Sequence, residues 1–266
     1  LALPTDIPVI DTLVTLPRPE AEHPAGYMFK DTPRVAADGL LPEMDRFNVE
    51  RGLIPVVRDE AVAPSLLRDR PDRFLGCYQL EPDRGMQGVR ELRRAHAELG
   101  VVAAGAFPAG THPLVGIDDR TWWPLYAACE ELGLPVFVNV GVPGPRWPAW
   151  TQDPMRLEPV LLHFPDLTVV TRHGGEPWVR ETIALMRAWP NLHYSTSAFA
   201  PRYYPAEIVE FANADGADRV VYAGYFPSGL SLERIFGELA GLPLHDDVWP
   251  QFLRTNAERV LNLHGG

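Results

Sequence analysis

The apolar positions of this chain fall in short runs separated by amphipathic stretches. Eight runs are dominated by Val, Leu, Ile, Phe and Tyr: Val9–Val14, Leu53–Val57, Phe74–Leu80, Val101–Phe107, Val136–Val140, Thr168–Arg172, Leu192–Thr196 and Val220–Ala223. Apolar runs this short, bounded by turn residues, read as buried strands. Helical spacing recurs between most of them. Thr121–Leu132 places Leu125, Cys129 and Leu132 on one face and stops before Gly133 and Pro135. Pro177–Trp189 opens with a proline in its first turn and ends before Pro190, Leu230–Leu239 follows Ser228-Gly229, and Asp247–Leu261 closes the pattern. Strands alternating with helices predict a parallel sheet with helices outside it. Eight such strands match a closed (β/α)8 TIM barrel better than an open sheet.

Two segments are too long to be simple connections, Leu16–Pro42 after the first strand and Gly141–Pro154 after the fifth. Both follow the C-terminal end of a strand, the face on which barrels build their sites, and long loops there form lids or pocket walls. No repeat, low-complexity tract or shift in composition divides the chain, so residues 1–266 are read as one domain. That length suits a barrel, which typically needs ~250 residues.

Charge narrows the partners. The 24 basic and 35 acidic residues leave a net charge of -11, which argues against nucleic acid and against an anionic membrane surface. With 46% hydrophobic and 22% charged residues the chain reads as soluble and globular. No apolar run approaches the ~18 residues of a membrane span. Leu1–Ile10 has no basic stretch followed by a long apolar one, so no secretory signal is expected, and the cytoplasm is the expected compartment. The aromatic residues leave room for a homodimer. Cys77 and Cys129 have neither disulfide-framework nor zinc spacing and are read as buried thiols. Arg occurs 23 times and Lys once, at Lys30, which is either a chance survivor of an Arg-rich composition or a position that requires an ammonium.

The strand ends bring candidate chemistry to the mouth of the barrel. Strand one delivers Asp11 to Thr15, strand five Asn139, strand six Arg172-His173-Gly174-Gly175-Glu176, strand seven Ser195-Thr196-Ser197, and strand eight Tyr225. Here the sequence resembles the amidohydrolase-related family, in its decarboxylase-like branch. VIDTLVTL at Val9–Leu16 resembles that family's opening strand, normally I-D-x-H-x-H. The stretch Ile117–Gly141 resembles its helix-and-strand unit, normally ending in a histidine before the glycine. TRHGGEPW at Thr171–Trp178 resembles its sixth strand end, and GADRVVYAGYFP at Gly216–Pro227 its eighth, normally G-S/T-D-Y-P. SLERIF and NAERVLNL continue the likeness to the C-terminal end.

The departures fall on the metal site that the resemblance implies. The two first-strand histidines are replaced by Leu13 and Thr15, the fifth-strand histidine by Asn139, and the eighth-strand aspartate by Tyr225. Leu offers a metal no lone pair, and Asn, Thr and Tyr are poor substitutes for imidazole and carboxylate. No catalytic metal and no other cofactor are therefore expected. His173 survives, and the resemblance implies an acid or base role for it, with Glu176 or Asp11 as orienting carboxylates.

A site without a metal must stabilise negative charge with fixed donors. Arg172, Lys30, Asn139 and Tyr225 are the candidates. Lys30, in Tyr27–Asp31, suits a carboxylate clamp, or more weakly a Schiff base. Each has a plainer alternative: His173 as a structural histidine, Arg172 paired with Asp11 or Glu176, Asn139 as a polar plug, Tyr225 as a ring filling space. Ser195-Thr196-Ser197 is read as barrel hydrogen bonding. Tyr203-Tyr204, Trp147 and Trp150 are read as pocket walls, and Tyr27 and Thr15 as substrate contacts. The expected function is hydrolysis of an ester or lactone in a carboxylate-bearing small molecule, with His173, Lys30 and Arg172 as the catalytic set. A lyase, decarboxylase or isomerase stands second, and a non-catalytic ligand-binding protein third.

Overall fold

A strand that is apolar at every position needs cover on both faces, because successive side chains point in opposite directions. In Val136–Asn139, Val136 and Val138 join the core between strands and helices, whereas Phe137 joins a second cluster with Ile10, Leu53, Leu75, Cys77 and Val170. That second cluster is the inside of a barrel. The computed structural model describes residues 3–4, 6–16 and 37–263. Its elements run β1 (Val9–Asp11), α1 (Ala37–Arg46), β2 (Val49–Val56), α2 (Val62–Asp69), β3 (Phe74–Gln79), α3 (Gly85–Leu99), β4 (Ala103–Ala106), α4 (Trp123–Leu132), β5 (Val136–Asn139), α5 (Glu158–His163), β6 (Val169–Arg172), α6 (Val179–Ala188), β7 (Leu192–Ser195), α7 (Ala206–Asn213), β8 (Val220–Val221), α8 (Leu232–Leu239) and α9 (Asn256–Val260).

The eight strands form one parallel sheet in the order β1 to β8, as the alternation of runs predicts. Irregular hydrogen bonds join β8 to β1. Thr12 donates to the Tyr222 carbonyl from both its backbone nitrogen, at 3.2 Å, and its hydroxyl, at 2.7 Å, and Tyr225 N donates to the Leu13 carbonyl at 3.0 Å. The opposite end is plugged by α9, whose Ala257 and Val260 pack with Leu261 into the inner cluster, against Val102 at the entry to β4. The plug leaves the C-terminal strand ends as the open side, where a barrel places its chemistry.

Several strands are a few residues shorter than the apolar runs, β1 ending at Asp11 and β4 spanning only Ala103–Ala106, and three larger differences follow. β2 begins at Val49 rather than Leu53, since Val49 is buried and hydrogen-bonded rows begin there. The long segment after β1 already turns helical at Ala37. The C-terminal helix is not continuous: Gln251–Thr255 is a π-turn that leaves the Phe252 carbonyl to accept from Tyr222 N at 3.0 Å. Among the described residues no helix is long and apolar enough to cross a membrane.

Candidate functional site

The inward positions near the open end of β5, β6 and β7 are polar. Asn139 pairs in register with Arg172, and the pairing of Thr171 with Tyr194 sets Arg172 level with Ser195. Arg172 is 4% exposed. Its Cζ lies 4.7 Å from the centre of the Phe137 ring and its Nη2 donates to Cys77 Sγ at 3.6 Å. Among the described residues its Nε and the Ser195 hydroxyl are both buried without a hydrogen-bond partner. The scaffold pairing with Asp11 or Glu176, the plainer alternative for this residue, is not formed. Asp11 lies on the outer side of the strands beside Tyr222, and Glu176 is exposed, so neither carboxylate reaches the barrel interior. Among the described residues this buried cation thus has a ring and a thiol as its neighbours, where a carboxylate would normally be needed.

His173 follows directly. Its Nδ1 lies 3.0 Å from Ser197 Oγ, and its backbone nitrogen donates to the same oxygen at 3.1 Å. The orienting partner is therefore Ser197 of the serine-threonine run, not the expected carboxylate. Ser197 is fully buried, so this contact fixes the orientation of the ring. Burial, then the neighbouring Arg172 charge, lowers the His173 pKa to about 3, with a hydrogen bond to the Ser197 backbone opposing. At neutral pH His173 is a neutral imidazole. Its ring meets Tyr225 edge-on at 5.4 Å. His173, Ala198 and Tyr225 all hold positive φ, at 69°, 74° and 61°. Left-handed backbone in non-glycine residues costs of order 1 kcal/mol each and gathers where a site is held in place by its surroundings.

The remaining candidates separate. Thr15 Oγ1 accepts from Ser228 N at 3.0 Å and so ties the loop after β8 to β1. Asp11 Oδ1 accepts from Leu13 N at 2.9 Å and Gly224 N at 2.8 Å, which makes it a staple between the same two strand ends. Burial pushes its carboxyl up to about 7 in spite of these two donors. Tyr203 and Trp150 are exposed, each under an arginine: Arg202 Cζ is 4.8 Å from the Tyr203 ring, and Arg156 Cζ is 5.2 Å from that of Trp150. Trp147 packs on Phe107 at 5.5 Å. Lys30 and Tyr27 lie outside the described residues. Sequence reasoning missed Cys77, which looked like an ordinary buried thiol. The inward alternation of β3 was the signal that could have found it.

The metal implied by the resemblance does not fit these residues. Leu13 is buried at one ligand position, the Thr15 hydroxyl is engaged, and His173 Nδ1 is held by Ser197. Among the described residues no three His, Cys, Asp or Glu side chains form a group able to hold a metal ion.

Comparison with known proteins settles the family. The amidohydrolase family model matches residues 17–263. The chain belongs to the amidohydrolase family. An uncharacterised TIM-barrel protein from Bordetella bronchiseptica superposes on this family member with a TM-score of 0.78 at 26% identity, covering 97% of this chain and 99% of that one. A 2,6-dihydroxybenzoate decarboxylase complexed with 2,6-dihydroxybenzoate gives a TM-score of 0.74 at 18% identity, over 96% of this chain and 99% of the other, which is a likeness of fold. A 2-amino-3-carboxymuconate-6-semialdehyde decarboxylase from Dictyostelium discoideum is 30% identical over 76 residues. That match spans 28% of this chain and 20% of the relative's length.

Proposed function

We propose that this protein is a lyase that cleaves a C–C bond in a carboxylate-bearing small molecule and releases carbon dioxide. The observation that carries the reading is the state of His173. Its ring is held by Ser197 and its pKa is near 3, so at neutral pH it is too weak a base to take a proton from water. Hydrolysis by general-base catalysis, the function expected first from the sequence, needs the reverse: a free imidazole nitrogen with a pKa near the working pH. Decarboxylation needs somewhere for the electrons of the breaking bond to go. A carbonyl oxygen β to the leaving carboxylate accepts them there, and in an ortho-hydroxyaryl carboxylate that carbonyl forms when the ring carbon bearing the carboxylate takes a proton. The Arg172 guanidinium, with the His173 ring in its Nε2–H form beside it, stabilises such an oxyanion. In a β-keto acid carbon dioxide departs, the electron pair becomes an enolate and a solvent proton completes the carbon; in the aryl acid the solvent proton reaches the carbon first, and the pair left by departing carbon dioxide restores the aromatic ring as a phenolate. The decarboxylase relatives support this class over hydrolysis, and an aryl carboxylate is the substrate type that the name of the 2,6-dihydroxybenzoate decarboxylase suggests.

The test uses carboxyl-13C-labelled aryl carboxylates, beginning with 2,6-dihydroxybenzoate, and follows labelled bicarbonate by NMR. Label release that falls at least about 100-fold in His173→Ala is the expected result. Ester or lactone hydrolysis that His173→Ala abolishes, without label release, would return the hydrolase reading to first place. Binding with no turnover of either kind would make the chain a ligand-binding protein.

A further inference from the structure

We propose that Cys77 sets the charge of the site: it is the neutral partner that leaves the Arg172 guanidinium uncompensated for an anionic group of the ligand. The inference rests on the reading above, in which Arg172 faces substrate. Cys77 sits on an inward position of β3, is 1% exposed, and places Sγ 3.6 Å from Arg172 Nη2. Gln79 Nε2 reaches the same sulfur at 3.7 Å and the Cys77 carbonyl at 3.1 Å. The sulfur therefore meets two donors, yet burial holds the thiol above its ordinary range and outweighs the pull of Arg172. The thiol stays protonated and contributes no negative charge.

A carboxylate at position 77 would have reached Arg172 and closed an internal ion pair. Asn139, level with Arg172 in the next strand, is neutral as well. Buried arginines are ordinarily matched by a carboxylate, because an unpaired buried charge is costly. Among the described residues no carboxylate pairs with Arg172, and the compensation is left to a ligand. The second observation is the pair of unsatisfied atoms on adjacent inward positions, Arg172 Nε and the Ser195 hydroxyl, both buried. They mark a polar spot on the barrel floor that an anionic oxygen or its bridging water completes.

This geometry also says which anion is held. A carboxylate gripped by a guanidinium is stabilised in the ground state, which opposes its loss. The group that Arg172 binds is then the oxygen on which charge develops or a second carboxylate that is retained, so the ligand is an anion beyond its leaving group or becomes one.

The test uses the full chain with Cys77→Asp, Cys77→Ser, Arg172→Met and the double variant Cys77→Asp/Arg172→Met. Urea unfolding and calorimetric binding of 2-nitroresorcinol as its phenolate, which carries no leaving carboxylate, against uncharged resorcinol are read on each. Cys77→Ser keeps the preference for the anion. Cys77→Asp loses about tenfold or more of it while resorcinol binding is unchanged. Cys77→Asp is at least as stable as Cys77→Ser, and that advantage disappears in the Arg172→Met background. A Cys77→Asp protein that binds the anion as the wild type does overturns the proposal. So does one that is destabilised, or fails to fold, while Cys77→Ser folds, because Arg172 would then not have been available to receive the carboxylate. The stability cycle decides the matter even if neither probe binds. Intact anion preference without release of carbon dioxide would sink the lyase reading and leave this one standing.

Discussion

Replacing Asp11 by Asn asks whether a fully buried carboxyl is carried by the fold at a cost. Oδ1 is well used, accepting from Leu13 N and Gly224 N, whereas Oδ2 is buried without a partner. Beside it is the equally unpartnered Tyr222 hydroxyl; both oxygens flank Gly224, 2.6 and 2.7 Å from where a Cβ would sit. The groups that face Asp11 are the phenols of Tyr222 and Tyr204, both pushed upward by burial and neutral at working pH. Among the described residues no cation offsets the desolvation, and the carboxyl rises to about 7 from an ordinary 3.8. A native pKa above the unfolded one means that the folded state keeps a proton the unfolded chain gives up. Stability from this group is complete below about pH 4, declines as pH rises to about 7, and is level beyond. The full span is about 4 kcal/mol, of which about 2–3 kcal/mol lies between pH 5 and pH 8. Asn keeps the accepting oxygen, cannot ionise, and supplies an N–H for the Tyr222 hydroxyl. Urea unfolding of both proteins at pH 5 and pH 8 is the assay. The stability of Asp11→Asn relative to wild type rises by about 2–3 kcal/mol toward pH 8. An equal loss at both pH values would refute the reasoning, since it would mean that Asp11 is charged in the native fold and held by its two backbone donors.

Two further outcomes follow from the same packing. Gly224→Ala forces a methyl group to within 2.6 Å of Asp11 Oδ2 and 2.7 Å of the Tyr222 hydroxyl, so thermal or urea unfolding shows a loss of about 1–3 kcal/mol; unchanged stability would mean that the seam between β1 and β8 is looser than drawn. His193 is held at about 3 by burial and then by Arg219 and Arg259, so it stabilises the fold fully above about pH 6.5 and progressively less as pH falls toward 3. His193→Gln flattens that acid limb in pH-dependent unfolding, while His173, lowered in the same direction, preserves part of it; an acid limb as steep as the wild type's would count against a buried neutral His193.

The barrel was legible because its strands are apolar in both directions, a pattern that few folds other than a covered parallel sheet can use. Val136-Phe137-Val138 shows it in three residues: two valines face helices and one ring faces the axis. Helices were less legible. α3 buries Gly88, Val89, Leu92 and Ala95, a face built of small residues between arginines and glutamates, which gives a weak apolar signal. α2 carries Pro64 in its first turn and α1 carries Pro42, and a proline reads as a break until the position within the helix is known. The identity of the site residues was legible through position alone. Their partners were not, because Ser197 and His173 are 24 residues apart and meet only when the ends of β6 and β7 are set side by side.

What the site does with charge depends on those partners. Paired with Asp11 or Glu176, Arg172 would have been scaffolding and His173 a candidate base. Paired with Cys77 and Ser197 instead, the two neighbours become a fixed cation and a fixed neutral ring. Under the proposed function, Leu13, Thr15, Asn139 and Tyr225 at the family's metal-ligand positions and the surviving pair belong to one change: where a metal would draw electrons from the substrate, the pair would aim hydrogen bonds at an oxygen. A buried guanidinium that no carboxylate matches among the described residues costs stability unless a ligand completes it, and the Cys77→Asp cycle measures that cost.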